Sequence, residues 1–151
     1  MTEIFDYVIV GAGSAGCVLA NRLSDDPNVS VCLLEAGGTH KHWSVFTPGA
    51  TIWNMVFGKR NWRFETEPQE GLNGRRGYQP RGKVLGGSSS LNAMIYIRGH
   101  KEDYDEWARL GNVGWSYDEV LPYFKKSENR EAGADEFRGE GGELNVAELS
   151  E

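Results

Sequence analysis

The first 36 residues contain two apolar runs separated by a segment with helical periodicity. The unbroken apolar run Tyr7–Val10 predicts a buried strand, and residues 29–34 predict a second one. Between them, apolar positions from Ser14 onward recur at helical spacing until an Asp-Asp-Pro-Asn turn at residues 25–28. Because a helix of this length commonly connects parallel strands, the pattern predicts a βαβ unit over residues 1–36.

A glycine-rich turn, G-A-G-S-A-G, joins the first predicted strand to the helix. Gly11 permits a tight turn, Gly13 leaves room for a pyrophosphate beside the backbone, and Gly16 permits close packing of the helix on the strand. The first turn of the helix then directs unpaired N–H groups at the phosphates. Glu35 follows the second strand, where it is expected to accept hydrogen bonds from an adenosine ribose. The order of these features predicts a dinucleotide site; the alternative is a glycine turn that binds no nucleotide.

Residues 37–80 show no sustained hydrophobic period and are predicted to form an irregular excursion with short helical or extended pieces. Long excursions of this kind often cover a ligand or an interface, although their aromatic residues can equally pack locally. The aromatic residues in question are Trp43, Phe46, Trp53, Phe57, Trp62 and Phe64.

A second glycine cluster, R-G-K-V-L-G-G-S-S-S-L-N, occupies residues 81–92 and runs into an apolar stretch at residues 93–97. Its three serines predict a loop that caps a short helix, so that further backbone N–H groups could face an anion or a polar ring edge. The segment from Lys59 to Lys101 holds nine basic and three acidic residues, which suits a chain folded over a pyrophosphate. The alternative for the glycine cluster is a flexible linker, and the alternative for the basic segment is a solvated basic face.

The last third of the chain predicts two helices within residues 101–127, the first ending at Gly111 and the second opened by a capping box of Ser116 and Glu119. Residues 128–151 read as an acidic, glycine-rich tail in which residues 142–146 alternate like a strand. Because this strand starts at the end of the chain, we expect it to have no partner.

Composition narrows the class of protein. The 151 residues carry a net charge of -6, and the acidic excess lies after Ser127, where eight acidic residues face two basic ones. Nucleic acid is therefore not an expected partner. The sequence contains neither a transmembrane stretch nor a signal-like start, so we expect a cytosolic protein and leave peripheral membrane association open. Cys17 and Cys32 are expected to be reduced and buried.

The three histidines do not predict a metal or catalytic site. His40 and His42 have no further Cys or His at ligand spacing, so no metal is expected. His100 precedes an acidic helix start, and a surface or capping role is favoured over a catalytic one.

Two separated motifs resemble one family. V-I-V-G-A-G-S-A-G-C-V-L-A-N-R-L at residues 8–23, with L-L-E-A-G-G at 33–38, is similar to the FAD-binding start of the glucose-methanol-choline (GMC) oxidoreductases, flavoproteins that oxidise alcohols. P-R-G-K-V-L-G-G-S-S-S-L-N-A-M-I-Y-I-R-G-H at residues 80–100 resembles the first signature of the family. D-Y-D-E-W and L-P-Y-F-K-K-S-E continue the likeness, which covers the whole chain and is strongest to the branch of choline dehydrogenase and aliphatic alcohol dehydrogenases.

The resemblance implies an α/β fold with a Rossmann-like FAD-binding βαβ start, an irregular lid excursion at residues 37–80, and a flavin loop at 81–100. It implies FAD-dependent oxidation of an alcohol, with hydride transfer to flavin N5 and non-covalent FAD, because Leu91 stands where some relatives carry a flavin-linking histidine. The FAD-binding residues that it implies are Gly11, Ala12, Gly13, Ser14, Ala15, Gly16, Glu35, Ala36, Arg81, Val84, Gly86, Gly87, Ser88, Asn92, Ala93, Met94 and Ile95.

Members of that family are several times longer, and their catalytic histidine lies in the C-terminal part. The resemblance therefore implies the incomplete N-terminal part of a larger two-domain fold, with no catalytic residue of its own and a complementary C-terminal chain as a candidate partner. The chain would be a truncation, a proteolytic piece or one subunit of a split enzyme. A NAD(P)-dependent Rossmann dehydrogenase and a non-catalytic flavin-binding fragment are the alternative functions.

Overall fold

The computed structural model describes residues 3–148, which form two compact units that follow each other in sequence at Ile95 and Tyr96. This boundary falls inside the predicted flavin loop. The first unit contains β1 (Tyr7–Val10), α1 (Ser14–Leu23), β2 (Val31–Leu34), α2 (Trp43–Phe46), α3 (Thr51–Val56), β3 (Phe64–Glu65) and β4 (Tyr78–Gln79). The second contains α4 (Lys101–Arg109), α5 (Tyr117–Ser127), β5 (Glu128–Arg130) and β6 (Leu144–Val146).

The first unit starts with the predicted βαβ arrangement. Strands β1 and β2 are parallel and in register from the pair Tyr7 and Val31 to the pair Val10 and Leu34, with α1 as the crossover. The α1 helix ends at Leu23, just before the turn that the sequence indicates. Since the strands end together, the residues that follow Val10 and Leu34 lie at one edge of the sheet.

The core of this unit is small, and this corrects one expectation from the sequence. The sheet formed by β1 and β2 has two strands, and Val10 is 84% exposed although its apolar run predicts burial. For the same reason Cys17 and Cys32 are half-buried rather than buried; both are free thiols. The buried hydrophobic residues among those described are Ala12, Ala50, Val84 and Leu91.

The excursion at residues 37–80 consists of the predicted short pieces. Besides α2 and α3 it contains two 3-10 turns, Pro48–Ala50 and Glu70–Leu72, and β3 pairs antiparallel with β4. The buried Asn61 organises its return, because its side-chain oxygen accepts from the backbone N–H groups of Arg63 and Arg81, each at 2.9 Å. The excursion thereby delivers residues 81–92 back to the βαβ unit.

The serines of the second glycine cluster form a 3-10 helix themselves, Gly87–Ser90, instead of capping a helix that follows them. The hydroxyl groups of Ser89 and Ser90 donate to the carbonyl oxygens of Gly86 and Leu85, at 2.7 and 2.8 Å. These local bonds tighten the turn. The apolar stretch that follows, residues 93–97, has no regular secondary structure.

The second unit is built on two capped helices. His100 is the N-cap of α4, where its Nδ1 accepts from the backbone N–H of Glu102 at 3.3 Å, in agreement with the predicted capping role. The predicted capping box of Ser116 and Glu119 opens α5. The helices pack through aromatic side chains, since the Tyr104 ring contacts the rings of Trp107, Tyr117 and Phe124 at centroid distances of 5.5 to 6.0 Å.

The expectation that the last strand has no partner is wrong. Strand β6 pairs in parallel with β5, which begins directly after α5 within the segment read as a tail. The sequence of β5, Glu-Asn-Arg, has no alternating apolar pattern and therefore gives no strand signal. Glu128 in this strand is fully buried and paired with two arginines.

Two further findings concern the residues between 3 and 148. None of their helices has the length and apolar character needed to cross a bilayer. Nor do their His, Cys, Asp and Glu side chains form a group of three or more that could hold a metal ion.

Candidate functional site

The glycine turn after β1 is shaped by two close approaches of the backbone. Gly11 has a φ of +96°, which favours glycine, and its N–H donates to the Leu34 carbonyl at 2.8 Å. A Cβ on Gly16 would lie 1.9 Å from the Gly11 carbonyl oxygen, so α1 can start this close to β1 only with glycine there. Gly11 therefore has the predicted role in the tight turn, and Gly16 has the predicted role in close packing.

The N-terminus of α1 is open. Its N-cap is Gly13, no side chain caps it, and the first turn contains no acidic residue. A Cβ placed on Gly13 would meet no atom within 4 Å, so this glycine is not required for packing inside the chain. An uncapped helix N-terminus with accessible backbone N–H groups suits an anionic group such as a phosphate.

The two glycine motifs are in direct contact. The Gly86 N–H donates to the Ala12 carbonyl at 2.7 Å, and the hydroxyl groups of Ser14 and Ser89 are 2.8 Å apart. Gly87 has a φ of +57°, and a Cβ on it would lie 2.7 Å from the Gly13 Cα. The loop at residues 81–92 thus forms a second wall beside the open helix N-terminus.

These walls enclose a cleft of about 800 Å³ at the carboxyl ends of β1 and β2. Eight of the predicted site residues line it: Gly11, Gly13, Ser14, Glu35, Ala36, Arg81, Gly87 and Ser88. Five lining residues were not predicted as site residues, namely Val10, Leu34, Trp62, Phe64 and Gly82. The cleft thus brings together residues from four separated segments of the chain.

Glu35 connects two parts of the cleft wall. Its Oε2 accepts from the Ala12 N–H at 2.9 Å, and its Oε1 accepts from the Gly37 N–H at 2.8 Å. The carboxylate therefore holds the glycine turn to the chain that leaves β2. Each carboxylate oxygen can accept a second hydrogen bond, so these contacts are compatible with ribose hydroxyls as further donors.

Trp62 and Phe64 supply an aromatic wall that the sequence places only within the excursion. Their rings are stacked with centroids 5.7 Å apart and an interplanar angle of 8°. The Lys83 ammonium lies 4.4 Å from the Trp62 ring centroid. Arg63, between Trp62 and Phe64, has a φ of +56°, so the stacking of the two rings does not follow from the alternation of an extended strand, and the sequence carries no signal for it.

The remaining predicted residues lie outside this cleft. Ala12 and Val84 are completely buried behind it. Asn92 lines a smaller cavity of about 230 Å³, together with Met55 and Leu91. Ala15, Gly16, Gly86, Ala93, Met94 and Ile95 do not line either cavity. Their contacts with a cofactor stay predictions.

A cleft at the carboxyl ends of parallel strands, with an open helix N-terminus and a carboxylate after the second strand, defines a dinucleotide-binding α/β protein. Comparison with protein families narrows the class, because the GMC oxidoreductase model matches residues 5–150. The chain belongs to the GMC oxidoreductase family.

Curated relatives include two choline dehydrogenases. Mitochondrial choline dehydrogenase of Mus musculus is 52% identical over 150 residues, which is 95% of this chain and 25% of the mouse protein. Oxygen-dependent choline dehydrogenase of Vibrio vulnificus is 53% identical over 146 residues, covering 97% of this chain and 26% of the relative. The chain therefore spans about a quarter of the length of these relatives.

Solved structures agree with this assignment. Pyridoxine 4-oxidase from Mesorbium loti superposes with a TM-score of 0.84 at 42% identity, over 94% of this chain and 28% of that one. A formate oxidase superposes with a TM-score of 0.83 at 34% identity, over 95% and 26%. The fold of this chain is that of the FAD-binding portion of these enzymes.

Proposed function

We propose that this chain supplies the FAD site of an enzyme that oxidises an alcohol. The observation that carries the proposal is the cleft in which both glycine motifs meet beside the open N-terminus of α1. Membership of the GMC family and the likeness to choline dehydrogenases support an alcohol as the substrate. When bound, FAD supplies the hydride acceptor, flavin N5.

Each wall of the cleft has a part in holding the dinucleotide. The backbone N–H groups at the start of α1 bind the pyrophosphate, with the Arg81 side chain on the same cleft as a source of positive charge. Glu35 accepts from the ribose hydroxyls and disfavours a 2′-phosphate by repulsion. Val84 and residues 92–95 lie against the flavin, a role based on the family resemblance alone.

Titration with three dinucleotides and one mononucleotide tests this assignment. We expect FAD to bind more tightly than FMN, which lacks the adenosine that Glu35 would hold, and more tightly than NAD⁺ or NADP⁺. Flavin fluorescence measures the binding of FAD and FMN, and calorimetry measures the binding of NAD⁺ and NADP⁺. Preferential binding of a nicotinamide dinucleotide would favour the Rossmann dehydrogenase alternative instead.

The flavin is expected to be bound without a covalent link. Leu91 stands at the position where a linking histidine would be needed; it is buried, and its side chain has no nucleophilic atom. Acid precipitation of the FAD-loaded protein should leave all the yellow colour in the supernatant. Colour that stays with the pellet would contradict the proposal.

The chain alone is expected to have no alcohol-oxidising activity, even with FAD and an artificial electron acceptor. The catalytic histidine of the family is not among these residues, and the apolar residues of β1 are exposed. Adding a separately expressed C-terminal chain should restore turnover if the protein is a split enzyme, whereas robust turnover by the 151 residues alone would refute this division of labour. The complementary chain and the cytosolic location stay predictions.

A further inference from the structure

The aromatic wall of Trp62 and Phe64 borders the large cleft without being covered by the rest of the first unit. The two residues are 42% and 51% exposed, although their rings are stacked on each other. Lys83, whose ammonium contacts the Trp62 ring, does not line the cleft, so the space in front of the wall stays open. Two large rings that are left exposed beside a cavity suit a flat, apolar ligand.

A strained backbone places the two rings side by side. Arg63 lies between them with a φ of +56°, an unfavourable conformation for a residue with a side chain. Its N–H donates to the Asn61 Oδ1 at 2.9 Å, and its guanidinium donates to the Val56 carbonyl at 3.0 Å. Strain of this kind persists only where the surroundings hold it, and it is concentrated at sites that bind ligands.

The wall is also tied to the second glycine motif. The buried Asn61 accepts from the Arg81 N–H at 2.9 Å, and the Trp62 N–H donates to the Arg81 carbonyl at 2.9 Å. The Asn61 side chain in addition donates to the Met55 carbonyl at 2.7 Å. Because Arg81 itself lines the cleft, these bonds hold the wall at the edge of the cavity.

The two cavities of the first unit indicate which end of a dinucleotide meets the wall. Trp62 and Phe64 line the large cleft together with Glu35, and neither lines the small cavity that contains Asn92. With the ribose at Glu35, the adenine attached to that ribose lies in the large cleft, and the flavin extends toward the small cavity. The cavities adjoin, because both are lined by Arg81, Gly82 and Ser88.

We propose that Trp62 and Phe64 form the stacking platform for the adenine ring of the dinucleotide. The faces of adenine are flat and apolar, and an aromatic side chain stacks on them without a particular pattern of hydrogen bonds. The platform thus adds an apolar contact to the polar contacts of the pyrophosphate at α1 and of the ribose at Glu35. The inference rests on the proposed function for the identity of the ligand as FAD, whereas an adenine platform serves ADP equally.

Two probes separate the ends of the dinucleotide. ADP carries adenine, ribose and pyrophosphate but no flavin, and FMN carries a flavin and a phosphate but no adenine. Trp62→Leu removes the larger ring of the wall, and Trp62→Phe retains a smaller one. The matched control is Trp43→Leu, which removes an exposed tryptophan of α2 that lines neither cavity.

In Trp62→Leu, we expect the dissociation constants of ADP and FAD, measured by calorimetry, to rise by the same factor, about 5- to 150-fold, which is the range for losing one base–aromatic stack. Trp62→Phe should lose less affinity, and Trp43→Leu should lose none. The dissociation constant of FMN should be the same in all four proteins. The indole N–H NMR signal of Trp62, identified by its loss in Trp62→Phe, should shift when ADP is added, whereas the signal of Trp43 should not.

Unchanged ADP affinity in Trp62→Leu, or an equal loss for ADP and FMN, would overturn the proposal. A loss confined to FMN would also overturn it and would place the flavin on the wall instead. If Trp62→Leu does not fold, Phe64→Leu decides by the same criteria. If the unaltered chain binds ADP but not FAD, the proposed function fails, and the Trp62 signal still decides whether adenine meets the wall; binding of neither would refute both.

Discussion

Gly13 and Gly16 belong to one motif, yet alanine at each should have opposite effects. Gly13 faces open space with a φ of -78°, which alanine adopts without strain. A Cβ on Gly16 would lie 1.9 Å from a backbone oxygen. We therefore expect Gly13→Ala to weaken dinucleotide binding strongly in a stable protein, and Gly16→Ala to destabilise the fold itself.

The magnitudes follow from these geometries. Gly13→Ala should leave the free energy of unfolding unchanged or raise it by up to about 1 kcal/mol, because alanine restricts the unfolded chain. Its methyl group would keep a phosphate from the helix N–H groups, and losing one or two such charged hydrogen bonds costs about 2 to 4 kcal/mol of binding. In Gly16→Ala the backbone must move by more than an ångström, so a loss of about 3 kcal/mol or more of stability is expected.

Urea denaturation followed by tryptophan fluorescence measures the stability of each variant, and FAD titration measures its binding. A Gly13→Ala variant that binds FAD normally would refute the assignment of this helix N-terminus to the pyrophosphate. A Gly16→Ala variant as stable as the unaltered chain would refute the packing argument.

Two carboxylates provide the remaining predictions. Burial raises the pKa of Glu128, but hydrogen bonds from Arg138 and the Gly139 N–H and the charges of Arg98 and Arg138 outweigh it, so the pKa lies below its ordinary value of 4.5. The ionised Glu128 therefore stabilises the folded chain fully above pH 4.5, and this stabilisation is lost as the pH falls through the lower folded-state pKa. Thermal denaturation across acidic pH should show this loss of stability in the unaltered chain. The Glu128→Gln variant should not show it. Glu35→Ala should weaken FAD binding by about 1 to 3 kcal/mol, the range for a charged hydrogen-bond partner; unchanged affinity in a titration would mean that the carboxylate only holds the turn.

Local signals in the sequence predicted what local chemistry determines. The capping box depends on Ser116 and Glu119, three positions apart, and the βαβ unit was predicted from the periodicity within each of its short segments; both are confirmed. Strand β5 was missed because its sequence, Glu-Asn-Arg, has no alternating apolar pattern, and its buried Glu128 is paired instead with Arg98, thirty positions earlier in the chain. No periodicity reports a contact of that kind.

In the candidate site, too, local sequence patterns predicted some residues, and contacts between distant parts of the chain determine the others. The family resemblance and the glycine pattern pointed to eight residues of the cleft, yet Trp62 was not among them, since its place depends on how Asn61 returns the excursion to the sheet. The double contact of Glu35 with Ala12 and Gly37 was also not foreseen. A carboxylate after a strand predicts a ligand contact, whereas its backbone partners become visible only in three dimensions.

The contact between Gly13 and Gly87 has a consequence for the order of events during synthesis. The residues before about position 80 can form the first parallel strand pair, but the wall opposite the helix N-terminus does not exist until the second glycine loop has emerged from the ribosome. The chain between Gly13 and Gly87 is a loop whose closure costs entropy that grows only slowly with its length. We therefore expect translation, rather than loop closure, to determine when the second wall forms. A nascent chain should therefore acquire the ability to retain a nucleotide late and abruptly, after its first secondary structure is already in place.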